Sequence, residues 1–459
     1  MATSIKRSKG SQSSTQIGTF SFWIKRSTIG NSTFYSNTVE DDNNRGYFEF
    51  SDDRFRAIDN DSSGTHFLLI TNRRFRDASA WYHIVFRIDT TQSTANDRVR
   101  VYVNGVQETS LHTNTQPSQN ENLKLLTGGQ TNREYINRIY GGSAGSGDFY
   151  LSHFHFADGQ SYGPDTFGST DSTTGEWRIN VSPTVTYGNQ GFFIFKDNAS
   201  LTDQSSNSND WSSDSGTVQK SEDNPSNNFA TLNPRFKCQA QATTFSNGAT
   251  TGQSPNSQGC GGISTLAASS GKFYAEFKQS AESTTNEGAI GVCDTYYMNN
   301  NDNLGGSSNP GYIEYSVACF GLRDGSGGNF YSSNGSKVNN SSGQHGNWVN
   351  GDIIMVAMDL DNNRLYFGKN GQWQNTTSWN SATPSTYITL DSTGFEGSYH
   401  FVVGDSSSGN NVTWQANFGN GYFGTTAITS EGTNASGIGK FEYDVPTGYT
   451  ALSTKGLNL

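Results

Sequence analysis

Residues 348–371, WVNGDIIMVAMDLDNNRLYFGKNG, decide how the chain is read. Trp348 and Val349 lead into the turn Asn350-Gly351-Asp352. From Ile353 to Leu360 the chain is then apolar on both faces, with Met355 and Ala357 on one side and Ile354, Val356 and Met358 on the other. A run this short, closed by turns at both ends, is a strand, and its two apolar faces place it between two layers. Asp361-Asn362-Asn363 reverses the chain, Arg364 to Gly368 returns, and Asn370-Gly371 is a type I′ hairpin signal. Residues 81–105, WYHIVFRIDTTQSTANDRVRVYVNG, repeat the pattern: a tryptophan, the strand Ile84 to Asp89, a polar loop, the strand Arg98 to Val103, and Asn104-Gly105. Two copies predict an all-β chain of two sandwiches in tandem.

The composition agrees with short strands joined by many turns. The 459 residues have room for two or three domains, and the 52 glycines sit among abundant Asn, Ser and Thr. A hydrophobic fraction of 32% is low, yet 13% aromatic residues argue for packed cores and against disorder. No apolar run is long enough to span a membrane, and the N-terminus, MATSIKRSKG, lacks the apolar core of a signal peptide. A net charge of −11 disfavours nucleic acid, whose phosphates need basic grooves. Lys6, Arg7 and Lys9 form a basic arm expected to be a solvated terminus, with an anchoring role as the alternative. Cys293 and Cys319 lie in strand patterns and are expected to be buried thiols. Cys238 and Cys260 lie in loop-like sequence, where free thiols are expected and pairing is the alternative.

In chain order, residues 1–16 are an N-terminal arm. The first strand, Thr19 to Lys25, puts Phe20, Phe22 and Ile24 on one face and Ser21, Trp23 and Lys25 on the other. Domain one is assigned to residues 17–196, ending in the aromatic strand Gly191 to Phe195. Residues 197–235 are rich in Ser, Asn and Asp and read as a linker, although Trp211 within it is expected to dock. Domain two, 236–459, opens on the alternating stretch Gly271 to Phe277. Further strands are expected at Gly288 to Val292, Tyr312 to Phe320, Tyr399 to Val403 and Trp414 to Gly419.

Residues 81–105 resemble the central hairpin of concanavalin A-like/laminin-G jelly rolls, and residues 348–371 resemble its equivalent in SPRY domains. In laminin-G-like domains a late strand such as Asp148 to Gly159 pairs beside the first strand and closes the sandwich. Five further segments look like signatures of bacteriophage virion proteins, common in marine phages, that join a concanavalin-like domain to a SPRY domain. They are Gly175-Glu176-Trp177 with Tyr187 to Phe192; Asp203 to Trp211; Asp223 to Pro234; and Tyr443 to Leu452. The resemblance covers residues 15–455 and implies a structural protein of the virion, assembled in the host cytoplasm. A tail fibre or similar appendage is the first reading and a capsid-attached fibre or decoration protein the second. The implied partners are other virion proteins, copies of the same chain (a trimer, by analogy with phage fibres) and host-surface glycan, with no cofactor and no membrane insertion. A reading from another class is a concanavalin-fold carbohydrate-active enzyme or secreted lectin.

Glucanases of the concanavalin fold carry an E-x-D-x-E strand whose alternate carboxylates face one cleft. The nearest match, Glu442-Tyr443-Asp444, has Pro446 where the second glutamate would stand, so the chain is expected not to be an enzyme. His153 and His155 share a strand face and could bridge a metal. The favoured reading is an exposed face opposite Phe154 and Phe156. Asp59, Asp148 and Asp158 have the composition of a calcium site, but no metal is assigned. For recognition, Tyr296 and Tyr297 in CDTYYMNNNDN and Tyr331 in GGNFYSSNG combine rings with Asn and Asp, as sugar binding requires. Packing onto the sandwich is their alternative role. Trp348 and Trp373 are expected in the core or at its rim.

Overall fold

The computed structural model describes residues 3–38, 43–139, 147–197, 199–236, 243–254, 260–283, 288–296, 313, 316–325, 328–333, 336–340, 347–376, 378–405 and 411–459. The chain divides into two compact units, Met1–Lys220 and Ser221–Leu459.

In the first unit an eight-stranded sheet runs in the order Leu111–Thr115, Gly64–Arg74, Arg54–Asp61, Arg45–Ser51, Ser32–Thr38, Gln130–Ile136, Ser4–Lys9, Ser212–Ser215. A six-stranded sheet runs Phe192–Ile194, Phe149–Asp158, Ile17–Arg26, Trp81–Asp89, Val99–Val103, Val106–Gln107. Their facing sides share one aromatic core. Phe48 of the larger sheet meets Phe20 edge-on at 5.1 Å and Phe86 at 4.9 Å across the layer. Phe20, Phe22 and Ile24 all enter this core, as the alternation predicts. The late strand Phe149–Asp158 lies antiparallel beside Ile17–Arg26, which closes the sandwich as the laminin-G resemblance implies.

The basic arm is not solvated. Ser4–Lys9 is an internal strand of the larger sheet, paired with Gln130–Ile136 on one side and Ser212–Ser215 on the other. Arg7 and Lys9 are almost wholly buried. The Arg7 guanidinium bonds the Glu134 carboxylate, donates to the Gln190 carbonyl at 2.7 Å and lies over the Phe192 ring at 4.6 Å. The anion, the carbonyl and the ring face offset much of the cost of burying this cation, while its Nη1 makes no hydrogen bond.

The linker expected over residues 197–235 is also structured, and it divides between the units. The Asp203 carboxylate accepts backbone N–H groups from Phe193, Ser205 and Asn209, which clips the loop onto the strand Phe192–Ile194. Trp211 docks on Phe192 at 5.2 Å. Past residue 220 the chain belongs to the second unit: Ala230 N–H donates to the Leu452 carbonyl, and Lys455 N–H to Asn227 Oδ1.

The second unit has a ten-stranded sheet with the main path Thr244–Ser246, Thr251–Gln253, Val412–Asn417, Lys272–Glu282, Ile353–Asp359, Arg364–Lys369, Gln372–Asn375, Ser378–Ser381. Its partner is a six-stranded sheet in the order Cys260–Ile263, Tyr399–Asp405, Gly288–Asp294, Cys319–Arg323, Asn329–Ser333, Ser336–Asn340. Every residue of Ile353–Asp359 is buried. Ile354, Val356 and Met358 face the inter-sheet core with Trp348, while Met355 and Ala357 belong to a separate cluster on the outer side. The strand expected over Tyr312 to Phe320 is displaced: strand structure begins at Cys319, because a turn closed by Ser316 N–H on the Ile313 carbonyl precedes it. Cys293 and Cys319 are buried on neighbouring strands and form no disulfide. Cys238 lies outside the described residues.

Both central hairpins turn as their sequences predict. Asn104 and Gly105 have φ of 48° and 80°, and Asn370 and Gly371 of 49° and 85°, the paired positive values of a type I′ turn. In each, the asparagine side chain closes the hairpin by accepting the N–H of a residue at the start of the first strand, His83 at 2.8 Å and Ile353 at 2.9 Å.

Trypsin should therefore cut first after the exposed Lys220, leaving fragments that each melt cooperatively; an equally early cut after Lys196, at the base of the clipped loop, would contradict its docking. Val356→Asp puts an unpaired charge between two sheets, a cost of more than about 4 kcal/mol. The second unit should fail to fold while the first melts as in the parent, measured by calorimetry.

Candidate functional site

A strand buried on both faces needs a second cover beyond the opposing sheet. On the outer side of the ten-stranded sheet, Tyr274, Met355, Ala357, Tyr366 and Trp373 form an apolar surface, onto which Phe441, Val445, Tyr449 and Ala451 of the C-terminal segment pack. This strap, residues 429–451, is held by its own short bonds: Gly432 N–H to the Phe441 carbonyl at 2.9 Å and Val445 N–H to the Thr433 carbonyl at 2.8 Å.

Between the strap and the loop at 382–384 the cover is incomplete, and a cleft of about 530 Å³ remains. Met355, Tyr366 and Trp373 line it from the sheet, Ala382, Thr383 and Pro384 from the loop, and Thr433 and residues 443–447 with Tyr449 from the strap. Gly371 of the hairpin turn serves the site twice. Its φ of 85° suits glycine, and an added Cβ would lie 3.0 Å from the Tyr443 ring, so the missing side chain lets that ring settle over the turn.

One buried carboxylate anchors the strap. Glu276, fully buried on Lys272–Glu282, accepts the N–H groups of Glu442 at 2.9 Å and Tyr443 at 2.8 Å, the Tyr274 hydroxyl at 2.9 Å and the Asn417 amide at 3.2 Å. Burial without a cation among these partners pushes its carboxyl up to about 7, against the pull of the four donors. Asp444 differs. Thr433 gives its Oδ1 both an N–H at 2.6 Å and a hydroxyl at 2.8 Å, holding the exposed carboxyl below the usual carboxylate range.

The cleft residues are not legible as a set in the sequence, because Tyr366, Trp373 and Tyr443 to Tyr449 converge only through the strap. The available signals were the double-faced strand and the terminal segment from Tyr443 to Leu452. Of the tyrosines singled out by sequence, Tyr296 is half-buried beside Phe395, ring centroids 5.5 Å apart, on the cluster outside the six-stranded sheet. Tyr331 is half-buried against the inter-sheet core. Tyr297 lies outside the described residues. Trp348 is a core residue, and its indole N–H donates to Gln279 Oε1 at 2.8 Å.

His153 and His155 are not on an exposed face. A bulge between Ser152 and His155 breaks the alternation, and the outer side of that sheet is covered by later chain, so both rings are buried. His155 stacks on Phe193 at 3.9 Å and contacts the Tyr187 hydroxyl through Nδ1 at 2.8 Å. Burial holds its pKa well below the ordinary histidine value and that of His153 at about 4. Among the described residues no group of three or more His, Cys, Asp or Glu is placed to hold a metal ion. Of the calcium candidates, Asp59 accepts the N–H groups of Lys124 and Leu125, and Asp158 those of Ser13, Ser14 and Gln190. At Asp148 the backbone carbonyl accepts N–H groups from Ser27 and Thr28.

Residues 3–142 match the Laminin_G_3 family, described as the concanavalin A-like lectin/glucanases superfamily. No curated protein matches the chain. Solved structures similar to it include the SPRY domain of human HERC1, at 16% identity over 40% of this chain and 96% of that one, with a TM-score of 0.28. The SAP-like pentraxin of Limulus polyphemus has 13% identity over 41% and 90%, with a TM-score of 0.27. Domains LG4-5 of the mouse laminin alpha1 chain have 9% identity over 97% of this chain and 92% of that one, with a TM-score of 0.28. Likenesses this distant carry no inference about ligand or partner. The fold itself is concanavalin-like and all-β, and the family match lies in the first sandwich.

Glu276 generates a pH dependence of known sign. Its folded pKa of about 7 stands above the ordinary 4.5, so its contribution to stability is fully present below 4.5 and is lost as pH rises through 7. Between pH 4.5 and 8 the second unit should lose up to about 3 kcal/mol from this group. Denaturant melts of Glu276→Gln should show a correspondingly flatter pH profile; an unchanged profile would place the titration elsewhere.

Proposed function

We propose that the chain is a non-enzymatic structural protein of a bacteriophage virion, a tail fibre or similar appendage that touches neighbouring virion subunits and host-surface glycan. The phage assignment is supported by the ordered segments that resemble virion proteins. Three of them build the covering layers: Asp203 to Trp211 clips the first sandwich, Asp223 to Pro234 joins the ends of the second unit, and Tyr443 to Leu452 forms the strap.

The observation that carries the recognition role is the cleft. It is concave, lined by the half-buried Tyr443 and the exposed Thr383, Thr433 and Thr447 together with the almost wholly buried Tyr366, Trp373 and Tyr449, and its volume of about 530 Å³ suits a small ligand. Rings that stack on sugar faces, next to groups that bond hydroxyls, are the chemistry glycan binding requires. The carboxylates near it favour binding over hydrolysis. Glu276 is fully buried and engaged by four donors, and Asp444 is tied to Thr433, whereas glycoside hydrolysis needs two carboxyl groups free to face one bond.

Weak sites on an appendage gain from repetition, since linked copies bind about 10²–10⁴-fold more tightly than one. The chain is accordingly proposed to act as a homo-oligomer, taken as a trimer, on a particle assembled in the host cytoplasm. Glycan arrays probed with the assembled oligomer should give retained spots, and reducing-end assays on the same glycans should stay flat. Steady sugar release abolished by one carboxylate substitution would overturn the non-enzymatic reading. Electron microscopy of the virion should find the chain in several symmetry-related copies; a single copy would remove the avidity argument.

A further inference from the structure

The outer side of the six-stranded sheet in the second unit carries two thiols placed face to face. Cys293 ends the apolar part of Gly288–Asp294 and Cys319 opens Cys319–Arg323, and the two stand directly opposite each other in an unbroken antiparallel register. The hydrogen bonds fix which kind of pair they form. Asp294 N–H donates to the Ala318 carbonyl at 2.9 Å, and Asp324 N–H to the Gly288 carbonyl at 2.8 Å. Bonded and non-bonded pairs alternate along such a ladder, which makes Cys293 and Cys319 a non-bonded pair. In pairs of that kind the α-carbons are about 4.5 Å apart and the side chains are close. A disulfide needs α-carbons about 4.4–6.8 Å apart, so the pair fits at the short end of the range.

The surroundings suit a link as well. Val292 and Phe320 point into the inter-sheet core, while Cys293 and Cys319 belong to the apolar cluster on the other side with Ile263, Ile313, Phe330 and Val402. The next pair on the same face is Gly291 opposite Gly321, so that rung brings no side chain against the sulfurs. The Phe330 ring fills the room instead, 2.7 Å from where a Cβ on Gly321 would lie.

We propose that Cys293 and Cys319 are an oxidative modification site, a cross-strand disulfide that staples the two strands when the folded chain meets a small soluble disulfide. The inference goes beyond the proposed function and does not depend on the cleft. The step is thiol–disulfide exchange. One protein thiolate attacks the small disulfide and expels one small thiol; the second protein thiolate then attacks the mixed disulfide and expels the other. Two protein thiols and one small disulfide become one protein disulfide and two small thiols, so protons and electrons balance. Both cysteines are fully buried, so the oxidant enters through local opening of the cover. A chain folded in a reducing compartment carries the thiols and gains the link on reaching an oxidising one.

The test is incubation of the full chain with glutathione disulfide below its melting temperature, then alkylation in denaturant and tryptic mapping without reductant. Trypsin sorts the four cysteines into two peptides. No lysine or arginine lies between Cys238 and Cys260 or between Cys293 and Cys319, and Lys272 and Lys278 separate the two pairs. Residues 279–323 should be recovered unalkylated and lighter by two hydrogens than the dithiol, and cleavage after Glu314 should leave the halves joined. The link closes a loop over residues 294–318, so oxidation should raise the melting temperature of the second unit by about 5–10 °C, reversed by dithiothreitol. Cys293→Ala and Cys319→Ala should each melt at one temperature with and without the oxidant. Recovery of residues 279–323 with both cysteines alkylated, a lasting glutathione adduct on either one, or linkage of either to Cys238 or Cys260 overturns the site. A link that forms and leaves the melting temperature unchanged overturns the staple.

Discussion

The second unit depends on burying both faces of Ile353–Asp359. A strand alternates its side chains with a period of two, so an opposing sheet can cover only one set. Ile354, Val356 and Met358 are covered that way, by the strands that carry Val292, Phe320 and Phe401. Met355 and Ala357 would face water were it not for the strap that brings Phe441, Val445 and Tyr449 over them. The cleft is the part of that face the strap leaves open, so the candidate site follows from the packing requirement.

The first unit meets the same requirement with different chain. The outer side of its six-stranded sheet is covered by the segment after Asp158, which packs Phe167 and Tyr187 against His155, while Phe193 stacks on the same ring from the neighbouring strand. The parallel extends to the turns. An added Cβ on Gly105 would lie 2.4 Å from the Trp177 ring, much as one on Gly371 would meet Tyr443. In both units the glycine of the Asn-Gly turn is thus required by its positive φ and again by an aromatic ring laid on it from later in the chain.

Covering loops bring backbone into places water cannot reach, and every such N–H needs an acceptor. The acidic residues supply many of them. Asp158 takes three backbone N–H groups, Asp203 three, Asp294 three, and Glu276 two. This use of carboxylates explains how a chain with few charged residues and much Asn, Ser and Thr can hold long irregular segments in place. It also explains why residues 197–211, which read as linker by composition, are an ordered clip.

The strands and turns of the central hairpins were legible in the sequence because they rest on local chemistry. Alternation puts Phe20, Phe22 and Ile24 in one core, apolar character on both sides marks Ile353 to Leu360 as doubly covered, and Asn-Gly forces the turn at 104–105 and 370–371. What covers the second face was not legible, since nothing local couples Glu276 to Glu442 and Tyr443, 166 and 167 positions away. The same limit applies to the basic N-terminal residues and the histidines. Arg7 reads as solvated until Glu134 and Phe192 are brought to it, and His155 reads as exposed until Phe193 lies on its ring. Period and turn chemistry determined which residues form strands and which of their faces are apolar. Only the tertiary structure decided which distant segment covers each outer face, because that choice depends on matching buried donors to acceptors across the chain.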